Sequence, residues 1–463
     1  MPLVAGVDSS TSACKVEVRD ADTGALVASG RAPHPATTPP RSEQHPHDWW
    51  TAFTAAAEQA GLFGPNRVAA IAVGGQQHGM VVLDAAGEVL RPAKLWNDTE
   101  SADDAGALVE RLGAAAWAAA CGSVPVASFT VTKLAWLRRN EPDVFARVAH
   151  VLLPHDWLTH RLTGAFTTDR GDASGTGWWS PAEGRYRDDL LALVDPDRDW
   201  TDALPTVLGP TDAAGDWDGA VVAPGTGDNM AAALGLGMRP GDLALSLGTS
   251  GTAYTVSTTP TADATGAVAG FADASGHFLP LVCTLNATKV TDAAARLLGA
   301  SRDEFDELVL AAPPGAGGLV LVPHLDGERT PNRPHATGVL SGIRSDVTRE
   351  QFARAAVEGV LCNLLEGADR LPEAAGTVVL LGGGARSRAI AQLTADLAGR
   401  PVVVPGDDEL VARGAAVQAA AVLHGSSIDA VGDAWGQVPS HTVEPRPGAD
   451  SAAVRAAFAA ALA

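Results

Sequence analysis

Residues 4–12 read Val-Ala-Gly-Val-Asp-Ser-Ser-Thr-Ser, and residues 242–250 read Asp-Leu-Ala-Leu-Ser-Leu-Gly-Thr-Ser. Each stretch is an apolar run that ends in small, hydroxyl-bearing residues, and a second apolar run follows each of them. This pattern predicts a β-hairpin in each half of the chain. Because the second stretch begins about half a chain length after the first, the similarity favours a duplicated domain. The alternative is that a strand, a small polar turn and a strand simply form a common hairpin.

Apolar runs and helical periodicity alternate along the rest of the chain. We predict strands at 4–7, 15–19, 26–29, 68–73, 79–83, 243–247, 251–257, 319–322 and 377–381. Helices are predicted at 48–59, 132–140, 142–147, 156–162, 351–365 and 387–398. Strands and helices that alternate in this way indicate the α/β class.

Composition excludes several classes of protein. The 463 residues carry a net charge of −21, whereas nucleic-acid and anionic-membrane surfaces need clustered Lys and Arg, so neither partner is expected. The four cysteines form no CxxC pair, which argues against a zinc ribbon, a redox dithiol or a disulfide framework. The N-terminus does not look like a signal peptide, and no apolar run approaches about 18 residues. We therefore expect a soluble cytoplasmic protein.

The two hairpin turns are candidate phosphate-binding loops. The first holds Ser10, Thr11 and Ser12 with Lys15 just beyond, and the second holds Gly248, Thr249 and Ser250. Small residues let backbone N–H groups point into a concavity, and hydroxyl groups add further donors for phosphate oxygens. Asp8, at the end of the first strand, can bind Mg²⁺ directly or through water. Taken alone, each turn is more simply a solvated hairpin turn, with Asp8 capping its own turn.

A triple glycine forms a third candidate loop. Gly382, Gly383, Gly384 and Ala385 follow a Val-rich strand and lead into a predicted helix. Glycines at this point permit close approach of a flat ligand or a phosphate to a helix N-terminus. The spacing is neither that of a P-loop nor GxGxxG, and a plain tight connection explains it equally well.

Asp228 follows a Gly-Thr-Gly loop and begins an Ala-rich helix. A structural explanation is helix capping, worth about 1 kcal/mol. The functional explanation is that its carboxylate accepts the proton of a substrate hydroxyl, the general-base role that an Asp performs in phosphoryl transfer. The position alone leaves both explanations open.

Two polar clusters are suited to recognising sugar hydroxyls. They are Gln76, Gln77 and His78 in one stretch and Trp96, Asn97 and Asp98 in the other. Amides and carboxylates exchange hydrogen bonds with hydroxyls, and an indole ring covers an apolar face of the ligand. The histidines at 150, 155 and 160 lack a partner at metal-ligand spacing, so a metal site there is not favoured.

These residues together resemble the FGGY family of carbohydrate kinases. Ser-Phe-Thr-Val-Thr-Lys-Leu-Ala-Trp-Leu at 128–137 with Asn140 is similar to the family's first signature. Residues 338–343, Gln-Phe at 351–352 and Ala-Ala-Val-Glu at 355–358 are similar to its second. The resemblance implies two actin-like, ribonuclease H-like lobes, at 1–238 and 239–463, with a central cleft that closes on ATP and sugar. It also implies a homodimer.

The resemblance also implies roles for individual residues. Asp228 would be the catalytic base, and Asp8 and Asp228 would bind Mg²⁺. The sugar would contact Gln77, His78, Trp96, Asn97, Asp98 and Asn229. Mg-ATP would be held by Asp8, Ser10, Thr11, Ser12, Lys15, Gly248, Thr249, Ser250, Gly383, Gly384 and Ala385.

The reaction implied is ATP-dependent phosphorylation of a ketopentose, first of all D-xylulose to D-xylulose 5-phosphate. Ribulose, glycerol or gluconate is the alternative substrate, and an actin-like or Hsp70-like ATP-binding protein is the alternative class. Two residues depart from the family pattern. Ser10 stands where Gly is usual, and Glu100 stands where an Arg is usual, which puts the sugar specificity in doubt.

Overall fold

The computed structural model describes residues 1–64, 66–406 and 409–462, which form two compact units. The first comprises Met1–Met238, Thr258–Leu279 and Glu409–Gln437. The second comprises the described residues among Arg239–Ser257, Pro280–Asp408 and Val438–Ala463. Each unit contains a mixed sheet with helices packed against it, so the predicted α/β class is confirmed.

Strands occur along the whole length of the described chain. They are Leu3–Ser9 (β1), Ala13–Asp20 (β2), Leu26–Pro33 (β3), Glu43–Gln44 (β4), Ala70–Gly75 (β5), Val81–Leu83 (β6), Ala93–Lys94 (β7), His150–Leu152 (β8), Thr167–Asp169 (β9), Trp179–Ser180 (β10), Arg185–Tyr186 (β11), Thr206–Leu208 (β12), Gly215–Trp217 (β13), Ala220–Val222 (β14), Thr226–Gly227 (β15), Leu243–Leu247 (β16), Gly251–Thr255 (β17), Ala269–Ala272 (β18), Phe278–Thr284 (β19), Val320–Val322 (β20), Val339–Ser341 (β21), Val378–Leu381 (β22), Val402–Pro405 (β23) and Ser440–Val443 (β24).

The helices lie between these strands. They are Pro46–Gln59 (α1), Ala102–Leu112 (α2), Ala114–Cys121 (α3), Thr130–Asn140 (α4), Pro142–Phe145 (α5), Pro154–Thr163 (α6), Arg170–Ser174 (α7), Asp188–Leu191 (α8), Asp228–Leu236 (α9), Thr288–Leu298 (α10), Arg302–Ala311 (α11), Arg349–Ala368 (α12), Arg388–Ala398 (α13), Leu410–His424 (α14), Ile428–Trp435 (α15) and Ser451–Leu462 (α16). Short 3₁₀ helices occupy Thr201–Ala203, Ala316–Gly318 and Gly383–Arg386.

The two sheets have the same strand order and directions. The first runs β13-β14-β5-β1-β2-β3, with β1, β2 and β3 antiparallel and β5 parallel to both β1 and β14. The second unit runs β24-β23-β22-β16-β17-β19, with the same sequence of parallel and antiparallel pairs. The similarity between residues 4–12 and 242–250 therefore extends to the topology, as a duplicated domain requires.

The core of the first unit lies between its sheet and the helices α1 and α6. Val7, Val16 and Ile71 from the strands pack against Trp49 and Trp157, and all five side chains are buried. Residues on α1 reach this core because Trp49, Phe53 and Ala56 recur at the spacing of one helical face. The core fixes the sheet and therefore the positions at which its strands end.

Helix α14 packs unusually close to α9 and β1. A Cβ atom on Gly414 would lie 1.8 Å from the Ala231 carbonyl oxygen, and one on Gly235 would lie 2.1 Å from the Leu410 carbonyl oxygen. The same helix meets Gly6 of β1, where a Cβ atom would lie 1.8 Å from the Ala412 carbonyl oxygen. Glycine is therefore required at all three contacts, because any side chain would force the backbones apart.

Two expectations drawn from composition can be compared with the described residues. All four cysteines are buried free thiols, in agreement with the expected lack of a disulfide framework. Within the three described ranges, every helix is too short or too polar to cross a lipid bilayer.

The close packing of α14 yields a stability prediction. Gly414→Ala should lower the free energy of unfolding by about 1–3 kcal/mol, because its methyl group overlaps the α9 backbone. The matched control is Gly106→Ala in α2, where a Cβ atom meets nothing within 4 Å. This control should be neutral or stabilising by up to about 1 kcal/mol, from helix propensity. Thermal unfolding followed by circular dichroism measures both variants, and equal transitions would contradict the packing argument.

Candidate active site

Three parallel strands of the first unit end side by side. In register, Asp8 of β1 lies opposite Gly74 of β5, and Thr226 of β15 lies opposite the same Gly74. The residues that follow these strand ends are therefore neighbours: the first hairpin turn, the Gln76–Gln77 segment and Asp228. The carboxyl edge of parallel strands is where α/β proteins commonly bind ligands.

Asp228 is the first residue of α9, and Gly227 occupies the N-cap position. Its Oδ1 accepts hydrogen bonds from the Asn229 backbone N–H at 2.8 Å and from Asn229 Nδ2 at 2.9 Å. Burial, together with the negative charges of Asp8 and Asp172, raises the pKa of Asp228 to about 7. A carboxylate with a pKa near neutrality is suited to accepting a proton.

Asp8 is almost fully buried and is held on both sides. The Ser10 hydroxyl donates to its Oδ1, and Lys15 Nζ lies 3.2 Å from its Oδ2. Lys15 also lies 2.7 Å from Glu409 of the same unit. The departure at Ser10 therefore has a local consequence, since the hydroxyl of this side chain fixes the Asp8 carboxylate.

The donor set of Asp8 and Asp228 fits Mg²⁺. Both side chains offer hard carboxylate oxygens, which this ion prefers. The two negative charges are close enough for Asp8 to raise the pKa of Asp228, and a cation between them would relieve that repulsion. The residues present are therefore compatible with a magnesium ion at this edge of the sheet.

Thr11 connects the first turn to both predicted sugar clusters. Its Oγ1 accepts from Trp96 Nε1 at 2.9 Å and donates to Gln76 Oε1 at 3.2 Å. The Thr11 carbonyl also accepts from Gln44 Nε2 at 3.0 Å. Ser12 lies next to it and is exposed. The phosphate turn and the sugar clusters, predicted separately, thus form one hydrogen-bonded group.

Gln77 and His78 lie at the centre of this group. Gln77 Oε1 accepts from Asn229 Nδ2 at 3.1 Å, which brings a predicted sugar ligand next to Asp228. His78 has a φ of +64°, in the left-handed region that only glycine enters freely, and its Nδ1–H donates to the Gly175 carbonyl at 2.8 Å. Its ring stacks on Phe129 at 5.1 Å and contacts Phe271 at 5.5 Å. Strained backbone that is held this firmly is typical of functional sites.

The Trp96–Asp98 segment contains one open acceptor and one enclosed carboxylate. Asn97 Oδ1 is buried without a hydrogen-bond partner in the described chain, which leaves it available to a ligand hydroxyl. Asp98 is fully buried, and its Oδ2 accepts from the Ser42 N–H at 2.9 Å. Both of its oxygens lie 3.2 Å from Lys94 Nζ. Its protein contacts suit Asp98 to supporting the segment from beneath, and a direct contact with sugar stays a prediction.

The departure at Glu100 is explained by Lys94. This buried ammonium group pairs with Asp98, Glu100 and Glu43, and it lies 3.8 Å from the centre of the Trp136 ring. The positive charge expected at position 100 is therefore provided by Lys94, and Glu100 completes its carboxylate shell. Because the ammonium group occupies the space among these three acids, a metal ion is not needed to hold them together.

The second unit gathers its predicted loops in the same way. Strands β16 and β22 are parallel, so the turn after Leu247 and the triple glycine after Leu381 end at one edge. A Cβ atom on Gly384 would lie 2.8 Å from the Leu247 Cβ, which shows how closely the two loops pack. The Gly248 carbonyl accepts from the Thr288 N–H at 2.9 Å, and Thr249 and Gly383 are exposed. Ser250 and Ala385 are half-buried beside them.

Three residues behind the site were missed by the sequence analysis: Lys94, His155 and Asp172. His155 was considered only as a metal ligand, whereas its Nδ1 lies 2.7 Å from Asp172 Oδ2 in the interior of the first unit. Its neighbours in the triplet stack on Phe166 instead, His150 at 4.0 Å and His160 at 4.3 Å. The Pro-His-Asp-Trp run at 154–157 was the available signal, because a buried helix rarely carries His and Asp side by side without a partner.

Comparison with known proteins supports the family resemblance of both halves of the chain. Models of the FGGY family of carbohydrate kinases match the chain with their N-terminal domain at residues 3–235 and their C-terminal domain at 243–423. A xylulose kinase of Streptomyces coelicolor is 50% identical over 448 residues, 94% of this chain and 91% of the relative. A xylulose kinase of Streptomyces rubiginosus is 49% identical over the same shares.

A solved structure agrees with the fold as well. The crystal structure of xylulose kinase from Bifidobacterium adolescentis is 46% identical and covers 100% of this chain and 99% of its own, with a TM-score of 0.89. The predicted fold class, with two actin-like α/β lobes, is confirmed by this likeness. The matched domains together cover most of the chain, and therefore the protein belongs to the FGGY family of carbohydrate kinases.

Proposed function

We propose that this ATP-dependent carbohydrate kinase phosphorylates D-xylulose to D-xylulose 5-phosphate. The observation that carries the proposal is the meeting of Asp8, Gln77 and Asp228 at one sheet edge. The chain that contains this edge is 50% identical in sequence to a relative named xylulose kinase. Transfer of a phosphoryl group to a sugar hydroxyl needs a carboxylate with a raised pKa, a second carboxylate and a set of amides.

In this reaction Asp228 is the general base. Its carboxylate accepts the proton as the terminal hydroxyl of the sugar attacks the γ-phosphorus in line, and the bond to the ADP oxygen breaks. The N–H and Nδ2 of Asn229 hold Asp228 Oδ1, so the carboxylate is oriented before substrate binds. Preorganisation of this kind lowers the barrier because little rearrangement is left for the transition state.

The phosphate groups of ATP would be bound mainly by small residues rather than by a cluster of cations. Asp8 and Asp228 would hold Mg²⁺, which when bound neutralises charge on the phosphate oxygens. The remaining donors proposed for ATP are backbone N–H groups, hydroxyls and one ammonium group. They belong to Ser10, Thr11, Ser12, Lys15, Gly248, Thr249, Ser250, Gly383, Gly384 and Ala385.

Sugar recognition rests on amides, one imidazole and one indole. Gln77, His78 and Asn229 would contact sugar hydroxyls beside Asp228, and Trp96 and Asn97 would contact other parts of the sugar. Asp98 belongs to the proposed sugar ligands as well, and it also supports the segment through its bond from the Ser42 N–H.

Ribulose, glycerol and gluconate remain the alternative substrates within the family. The family match makes the protein a carbohydrate kinase rather than an assembly protein or an Hsp70-like ATPase. The protein would bind a small sugar and ATP, and it would bind neither nucleic acid nor a membrane. The same proposal includes a location in the cytoplasm and assembly as a homodimer.

Removal of the base gives the most direct prediction. Asp228→Ala should lower kcat for sugar phosphorylation by about 10²–10⁴-fold, the range for loss of a general base. ATP affinity should change little, because most of the proposed phosphate donors remain. Steady-state kinetics and ATP titration measure the two quantities. Asp202→Ala, at an exposed carboxylate of the same unit, is the control and should behave as wild type.

The raised pKa of Asp228 predicts a pH dependence. Only the deprotonated carboxylate accepts a proton, so kcat/KM for the sugar should fall tenfold per pH unit below a pKa of about 7. Measurement at low Mg-ATP reports the free enzyme. A profile that stays flat down to pH 5.5 would show that no group with this pKa is needed.

Substrate identity is tested with a coupled ADP-release assay over a sugar panel. We expect kcat/KM for D-xylulose to exceed that for ribulose, glycerol and gluconate by at least about tenfold, the discrimination that a few matched hydrogen bonds provide. A higher value for any of these three would reassign the substrate while leaving the kinase reaction in place.

A further inference from the structure

A buried histidine lies directly behind the proposed sugar site and has no part in the chemistry described above. His155 is fully buried, with Asp172 Oδ2 2.7 Å from its Nδ1 and Asp156 Oδ1 3.2 Å from its Nε2. Asp169 lies 3.7 Å from the same Nε2. Although burial opposes a charge, these carboxylates raise the pKa of His155 to about 10. The imidazole is hydrogen-bonded to Asp172 and lies within ion-pair distance of Asp156 and Asp169, so its charged form is favoured here.

Asp172 is the member of this group that faces the site. Burial raises the pKa of Asp172 above its ordinary value, and the hydrogen bond from His155 and the nearby Gln77 amide oppose that rise by favouring the ionised carboxylate. Gln77 Nε2 and Asp172 Oδ1 are both buried, and among the described residues neither atom has a hydrogen-bond partner at normal distance and angle. Asp172 interacts with the Gln77 side chain, so its carboxylate is an acceptor that the structure offers to the Gln77 amide.

This contact decides which way the Gln77 amide points. An ionised carboxylate only accepts hydrogen bonds, so the NH₂ group of Gln77 must face Asp172 and its Oε1 must face away. Oε1 then accepts from Asn229 Nδ2 at 3.1 Å, and the second hydrogen of that nitrogen goes to Asp228 Oδ1 at 2.9 Å. Asn229 Oδ1 is left to accept from a sugar hydroxyl. If the Gln77 amide were turned over, two NH₂ groups would face each other and this order would be lost.

The packing around Gln77 leaves it little freedom. A Cβ atom on Gly227 would lie 2.6 Å from Gln77 Cγ, and one on Gly225 would lie 2.7 Å from His155 Cδ2. The strand that leads to Asp228 is therefore in direct contact with both side chains. A shift of either residue would be transmitted to the base.

We propose that Asp172, held by His155, is a positioning residue that sets the orientation of Gln77 and through it that of Asn229 toward the sugar. The proposal rests on the proposed function, because it assigns Gln77 and Asn229 to the sugar site. It makes Asp172 a determinant of sugar affinity that acts without touching the sugar.

The test is a double-mutant cycle on the full-length enzyme with Asp172→Asn and Gln77→Ala. Asparagine keeps the size of the side chain and still accepts from His155, but it also offers a donor that lets the Gln77 amide turn over. Asp172→Asn should raise KM for the accepted sugar about tenfold or more, the effect of losing a hydrogen bond to a charged group. KM for Mg-ATP should stay within about twofold. In the Gln77→Ala background, Asp172→Asn should add nothing further, because both changes remove the same contact.

Asp156→Asn is the matched control, since this carboxylate lies on the opposite side of His155. It should change thermal stability and leave KM for the sugar within about twofold. If Asp172→Asn does not fold, His155→Gln takes its place, because it removes the group behind Asp172. This variant must raise KM for the sugar to the same extent and leave KM for Mg-ATP unchanged. Additive effects in the cycle, an equal rise in both KM values, or an unchanged sugar KM in Gln77→Ala would each overturn the proposal. Failure of the proposed function is a separate result, namely no turnover of D-xylulose by the wild-type enzyme.

Discussion

The pairing of β5 with β1 on one side and with β14 and β15 on the other is the constraint on which the site depends. It is parallel throughout, so the chain leaves all of these strands at the same edge of the sheet. Asp8, Gln77 and Asp228 come from positions far apart in sequence and meet only because of this register. A slip of one residue between β1 and β5 would turn Asp8 to the opposite face of the sheet. The glycine contacts of α14 with β1 and α9 hold the same strands and helix from behind.

Charge is handled locally in a chain whose net charge is −21. Three of the acids at or behind the site each lie beside an enclosed or half-enclosed basic group: Lys15 at Asp8, Lys94 at Asp98, and His155 at Asp172. A buried acid left without such a partner would be costly and would take up a proton instead. Burial and acidic neighbours raise the pKa of Asp228 to about 7, and burial likewise raises the pKa of Asp156 to about 7. At Asp228, which lies beside the proposed sugar ligands, a pKa near neutrality is the property a general base requires.

The sequence predicted several elements closely, yet it missed α2 and α10, although each of these helices has a buried face and an exposed face. β16 was predicted at its observed bounds, and α1 and α12 were found within three residues. Helix α14 was missed because buried residues surround it and leave no polar face to reveal a helical period. Within the site, small residues and polar side chains at strand ends pointed to Asp8, Gln77 and Asp228. Asp172 and His155 could not be found in this way, since their role depends on contacts with residues far away in sequence.

A crystal structure of the enzyme with D-xylulose bound tests the central claim most directly, because that claim concerns which groups the strand ends bring to the reacting hydroxyl. We expect the terminal hydroxyl of the sugar to lie within about 2.6–3.2 Å of an Asp228 carboxylate oxygen. We also expect hydrogen bonds from the sugar to His78 and to Asn229 Oδ1. A sugar whose terminal hydroxyl lies beyond reach of Asp228, with its other hydroxyls bound by residues outside this edge of the sheet, would contradict the account.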